Sequence, residues 1–161
     1  MNAVSFLEKQ IPKFFSANLL DQVLVTIPSS GAKLDDIEAE ELKIGLSFSN
    51  SYRTLLQKWN GLDLDVIRFF GVGNVTRRIL RAAEWQNIYD STENFLFIAN
   101  DPAGFSYAEN REGHIYSFDH DGGDGERICT NFDYFIIDHL FGKDSNKYMG
   151  EKWLAEIIAL D

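Results

Sequence analysis

The stretch Phe95-Leu96-Phe97-Ile98-Ala99-Asn100-Asp101-Pro102-Ala103-Gly104-Phe105-Ser106-Tyr107-Ala108-Glu109-Asn110-Arg111-Glu112-Gly113-His114-Ile115-Tyr116-Ser117-Phe118-Asp119 decides the fold. Phe95–Ala99 is apolar on both faces, as expected of a central strand covered on both sides. Asn100–Gly104 is rich in turn formers. Phe105–Glu109 and His114–Asp119 read as two further strands, joined by the polar Asn110–Gly113. Successive strands with short polar connections predict an antiparallel meander.

Upstream, Val66–Val72 is rich in β-branched and aromatic residues and reads as a strand. Arg77–Tyr89 follows as a helix with Ile79, Leu80 and Ala83 inward and Arg77, Arg78 and Arg81 outward. Asn50–Trp59 is a helix capped by Ser49, with Tyr52, Leu55, Leu56 and Trp59 at i, i+3, i+4 and i+7, and Asn60-Gly61 ends it. Before it, Leu34, Ile37 and Leu42 share one face of an acidic helix whose other faces carry Asp35, Asp36, Glu38, Glu40 and Glu41, with Gly45 as the stop. At the start, Val4, Leu7, Ile11 and Phe14 recur at helical spacing, and Pro12 is expected to split or kink that helix. Leu20, Val23, Leu24 and Ile27 extend an apolar face as far as Pro28-Ser29-Ser30-Gly31.

Downstream, Asp121–Gly125 has the composition of a mobile acidic loop. Asn131 caps a helix that places Phe132, Phe135, Ile136, His139 and Leu140 on one face, and Gly142 closes it. A last helix is expected over Tyr148–Leu160, with Trp153, Leu154, Ile157 and Ile158 on one side. Helices, then a meander, then helices imply an α+β fold, a mainly antiparallel sheet with helices packed around it. The expected organisation is one domain over 1–161: a docked helical arm (1–30), a core (31–142) and a C-terminal helix (143–161).

Composition narrows the function. The 161 residues are 45% hydrophobic and include 13 Phe, 6 Tyr and 3 Trp, ample for one core. Lys plus Arg number 15 against 25 Asp plus Glu, a net charge of -10 that argues against a general phosphate-backbone binder and favours basic partners. The single cysteine, Cys129, excludes an internal disulfide framework and a cysteine-rich zinc site, and fits a reducing compartment. Apolar runs fall far short of the roughly 18 residues a membrane span needs. Met1–Gln10 places Glu8 and Lys9 where a signal peptide would be apolar. A cytoplasmic protein is expected.

Three segments, in order, resemble the SUKH superfamily, whose members include bacterial immunity proteins and fungal cell-wall-assembly regulators. The first is Phe48-Ser49-Asn50-Ser51-Tyr52-Arg53-Thr54-Leu55-Leu56-Gln57-Lys58-Trp59-Asn60-Gly61, with Ser49 where the family usually has proline. The second is Phe97–Asp101 with Gly104 and Tyr107, then Gly113–Asp121, which contains Asp119-His120-Asp121. The third is Asn131-Phe132-Asp133-Tyr134-Phe135-Ile136. The resemblance implies an α+β scaffold that many bacterial members use to bind and neutralise a toxin, without catalysis.

The stretch Asp119-His120-Asp121-Gly122-Gly123-Asp124-Gly125-Glu126 is the most chemically suggestive. As an EF-hand it fails, because from Asp119 the count puts Asp124 at the glycine position and Thr130 at the bidentate glutamate. A solvated loop is the plain alternative to a partner contact. Arg68, Arg77, Arg78 and Arg81 could hold a phosphate but more often pair with carboxylates. His114, His120 and His139 lack close metal-ligand spacing, and His139 lies on an apolar helix face. A Cys129–His dyad is conceivable, yet a lone thiol is usually packing. Tyr107 and Tyr116 are placed on the open face of the sheet as interface anchors. The expectation is therefore a non-enzymatic module without cofactor, metal, membrane or direct nucleic-acid partner. It binds a basic protein through Asp101, Tyr107, Tyr116, Asp119, Asp121, Asp124 and Glu126. The alternatives are a regulatory scaffold for an endogenous enzyme and a divalent-metal-dependent enzyme built on the acidic loop.

Overall fold

The computed structural model describes residues 1–16, 25–64, 66–76, 79–86 and 94–145. Seven strands form one antiparallel sheet whose order follows the chain: β1 (Val25–Thr26), β2 (Leu62–Leu64), β3 (Arg68–Phe69), β4 (Phe95–Asn100), β5 (Phe105–Asn110), β6 (Ile115–Asp119) and β7 (Glu126–Cys129). The predicted meander is its centre, with Phe97 opposite Ala108 and Tyr107 opposite Ser117. Around it lie α1 (Ala3–Ser16), α2 (Leu34–Ile44), α3 (Asn50–Lys58), α4 (Ala82–Gln86) and α5 (Phe132–Tyr134), the last running on as a π-helical stretch, Phe135–Leu140. The fold is α+β, as expected.

Side chains alternate across a strand, so the sheet has two distinct faces. On one, Phe69 meets Phe132 of α5 (5.8 Å) and Tyr107 meets Phe135 of the π-helical stretch (5.1 Å), while Tyr52 of α3 packs on the same Phe132 (5.2 Å). On the other, Trp85 of α4 packs on Phe70 and donates from Nε1 to Ser106 Oγ (3.2 Å), while Phe95, Phe97 and Phe118 cluster beside it. The buried Tyr52 hydroxyl lies 2.6 Å from the Phe70 carbonyl and 2.8 Å from that of Ile98, tying α3 to the bulge in β4.

Local signals position α3 well. Ser49 Oγ accepts from the Tyr52 amide, and Tyr52, Leu55, Leu56 and Trp59 are buried. Gly45 ends α2 at φ 79°, a left-handed conformation that favours glycine. Asn131 caps α5 by accepting from the Tyr134 amide.

Several expectations are corrected. α1 runs through Pro12 as one helix, so of the two outcomes expected there the split does not occur. The missing proline N–H costs roughly 3 kcal/mol, and burial of Val4, Leu7 and Ile11, at about 1.5–3 kcal/mol each, offsets it. Val25–Thr26 is strand rather than helix, and Leu20, Val23 and Leu24 lie outside the described residues. In α2, Leu34 and Leu42 point outward and Glu40 and Glu41 inward. The strand expected over Val66–Val72 contracts to β3, and β2 and β7 went unpredicted. Of the helix expected over Arg77–Tyr89, only α4 is seen within the described residues. Arg81 is not outward but partly buried against Glu40. The helix expected over Tyr148–Leu160 lies outside the described residues.

Candidate protein-interaction site

At one end of the sheet the β4–β5 turn meets the β6–β7 loop. Asp101 organises the turn: Oδ1 accepts from the amides of Ala103 (2.9 Å) and Phe105 (3.1 Å), and Oδ2 accepts from the Tyr107 hydroxyl (2.6 Å). Gly104, at φ 96°, accepts from the His120 amide (3.0 Å). A Cβ on Gly104 would sit 2.4 Å from His120 Nδ1, so only glycine lets the two loops close.

In the β6–β7 loop, Asp119 Oδ1 accepts from the Asp121 amide (3.0 Å) and lies 3.1 Å from His120 Nδ1, while His120 Nε2 lies 3.1 Å from Asp121 Oδ1. Asp119, Asp121, Asp124 and Glu126 are exposed. Gly125 packs against the Phe118 ring, anchoring the far end of the loop. Between turn and loop opens a cleft of about 430 Å³, walled by Trp85, Pro102, Phe105 and Phe118 and edged by Asp101 and Asp119.

The structure thus brings Asp101 and Asp119 together at one cleft and runs Asp121, Asp124 and Glu126 outward along the loop and the start of β7. Tyr107 is a correction: it is buried, its ring against Phe135 and its hydroxyl on Asp101, so it supports the turn from within and presents no surface. Tyr116 is half-buried on the opposite face, its ring 4.9 Å from Phe95. Sequence reasoning missed Trp85, Pro102, Phe105 and Phe118 as cleft walls. Phe105 alone carried a signal, being an aromatic residue at a strand start beside a turn.

Asp119, His120 and Asp121 offer one donor atom each within 4.8 Å of one another. Ca²⁺ takes six to eight oxygens, whereas here an imidazole contacts both carboxylates. Cys129 is buried, with Sγ 3.5 Å from the Asn131 carbonyl, and burial pushes its thiol up to about 12. It stays protonated at neutral pH and is a poor nucleophile. His139 is a core residue, its ring 5.3 Å from that of Tyr134. Arg68 and Arg81 lie 3.8 Å from Asp63 and 3.1 Å from Glu40, while Arg77 and Arg78 fall outside the described residues.

A larger depression, about 580 Å³, lies at the other end of β5, between the C-terminus of α2 and Asn110. Its buried carboxylates are already engaged. Glu41 accepts from the Phe48 amide and ion-pairs with Arg53, and Glu109 accepts from the Ser49 amide (2.9 Å) and hydroxyl (2.5 Å). Arg111 stands at its edge. Size alone therefore does not make it the better site for a cation.

Compared with family models, residues 34–136 match SUKH_6, described as SMI1-KNR4 cell-wall. The chain belongs to this family. The match runs from the start of α2 into the π-helical stretch and contains all three segments on which the SUKH resemblance rested. No curated protein matches the chain significantly. No helix among the described residues is long and apolar enough to cross a membrane.

Proposed function

We propose that this SUKH protein is a cytoplasmic, non-catalytic binding module whose acidic sheet end engages a basic protein, and that this protein is a toxin domain which the chain neutralises. Family membership supports the interaction role. The observation that carries the basic partner is the β6–β7 loop, which exposes Asp119, Asp121, Asp124 and Glu126 while Asp119–Glu126 contains no lysine or arginine. Such a one-signed patch on a molecule of net charge -10 steers a cationic partner during diffusion and fixes its orientation. The description of the matched family as cell-wall favours a second reading, a regulator that holds an endogenous enzyme.

Pull-down from the source cells with mass spectrometry identifies the partner, and a secreted toxin or a housekeeping enzyme decides between the two readings. Stopped-flow association then compares the wild type with a variant in which Asp119, Asp121, Asp124 and Glu126 are all Ser. The expected result is an on-rate at least about tenfold lower at low salt, with a flattened salt dependence. An unchanged on-rate and slope would remove the loop from the mechanism.

A further inference from the structure

We infer that the cleft beside the acidic loop is a receptor for a single arginine side chain projecting from the protein partner. The inference rests on the basic-partner reading above and goes further, naming the residue type that is read and the place that reads it. Three features of the cleft coincide.

Its lining includes three aromatic residues and a proline, Trp85, Phe105, Phe118 and Pro102, of which Phe118 is itself largely buried. A guanidinium stacks on such rings and is weakly hydrated, so it gives up less on entering an apolar slot than an ammonium does. Phe105 is 37% exposed, one of the few large apolar side chains so open among the described residues.

Its edge is acidic, and part of that acidity is unspent. Both contacts of the Asp119 carboxylate fall on Oδ1, and Oδ2 takes none among the described residues. Asp101 lies across the cleft with its carboxylate fixed by two amides and the Tyr107 hydroxyl, a preorganised negative charge that need not rearrange when a cation arrives. Among the described residues no lysine or arginine lines the cleft, so the charge they present points one way.

Its volume, about 430 Å³, is enough to admit a whole arginine side chain. The other depression matches it in neither respect, since its buried carboxylates are engaged and Arg111 stands at its rim. Loop and cleft then divide the work: the exposed carboxylates steer the partner, and the arginine in the cleft holds it, as desolvated anchors do in most interfaces.

The probes are N-acetyl-arginine amide and N-acetyl-lysine amide, titrated separately into the full ¹⁵N-labelled chain and followed by NMR. Arginine is expected to shift the Trp85 indole N–H and the amides of Phe105, Ser106 and Asp119, with an affinity about two- to fivefold above that of lysine. Phe105→Ser, at a partly open position, is expected to abolish that preference. A variant with Asp121, Asp124 and Glu126 all Ser is expected to keep the arginine shifts. Equal shifts for both probes confined to residues 121–126 would overturn the cleft and leave the acidic-loop reading intact. Absent shifts, or an arginine preference that survives in Phe105→Ser, would overturn it as well, while the association rates of the loop variant report separately on the electrostatic reading.

Discussion

Glu109 shows how one buried side chain links a strand to a helix cap. It holds the Ser49 amide and hydroxyl, and Ser49 Oγ in turn accepts from the Tyr52 amide, so β5 fixes the start of α3. Desolvation pushes its carboxyl from 4.5 up to about 7, against the opposing pull of the two Ser49 hydrogen bonds. The folded chain therefore keeps a proton that the unfolded chain has released between those pH values. That contribution to stability is fully present below pH 4.5 and is lost as pH rises through about 7. Glu109→Gln keeps a neutral polar group and removes the slope. Urea melts at pH 4.5 and above pH 7 should show the variant gaining about 3 kcal/mol relative to the wild type at the higher pH. An equal difference at both values would mean that Glu109 titrates normally. Nothing in the sequence near Glu109 announced this, because it sits on a strand expected to alternate and its partner is 60 positions away.

At the scale of elements, α2 is where sequence and structure part most clearly. Ile37 lies inside and Asp35, Asp36 and Glu38 outside as expected, but Leu34 and Leu42 exchange places with Glu40 and Glu41, and that exchange has a physical cause. Glu40 is 1% exposed and its two oxygens lie 3.1 Å from Arg81 Nε, with the Ala83 amide 2.9 Å from Oε1. Glu41 meets Arg53 and the Phe48 amide. Each charge is buried only because a cation from another element comes with it. Arg81→Met leaves the Glu40 carboxylate buried and uncompensated and should cost about 3–5 kcal/mol in equilibrium unfolding, whereas Glu40→Met with Arg81→Met should cost clearly less. Equal losses in the single and double variants would show that the pair is not coupled. The helices capped by Ser49 and Asn131 were legible because a cap is a local device within one turn. β2 and β7 were not, since strands of three and four residues carry too little pattern to read.

For the molecule as a whole, charge and topology combine. A net charge of -10 repels the phosphate backbone at long range, and Arg68 and Arg81 face carboxylates. A labelled DNA duplex should therefore show a Kd no tighter than about 10⁻⁴ M at physiological salt in fluorescence anisotropy, and micromolar binding would contradict the exclusion. Because the strand order follows the chain, successive turns alternate between the two ends of the sheet. The β4–β5 and β6–β7 connections thus share an end, which is why Asp101 and Asp119 meet although 18 positions separate them. The β5–β6 turn lies at the other end, beside the larger depression.

What the sequence by itself determined were the features written within a few residues of one another: the β4–β6 meander, the capped α3 and α5, the glycine stop of α2, the surplus of acid and the SUKH motifs. Period, capping chemistry and composition act locally, so they can be read locally. Only the tertiary structure decided which carboxylates face solvent and which are buried with arginines, that Tyr107 supports a turn from inside, and that Trp85 and Phe118 wall a cleft with Phe105. Burial and ion pairing depend on which groups the fold brings together, several of them from distant parts of the chain, and local pattern does not say which will meet.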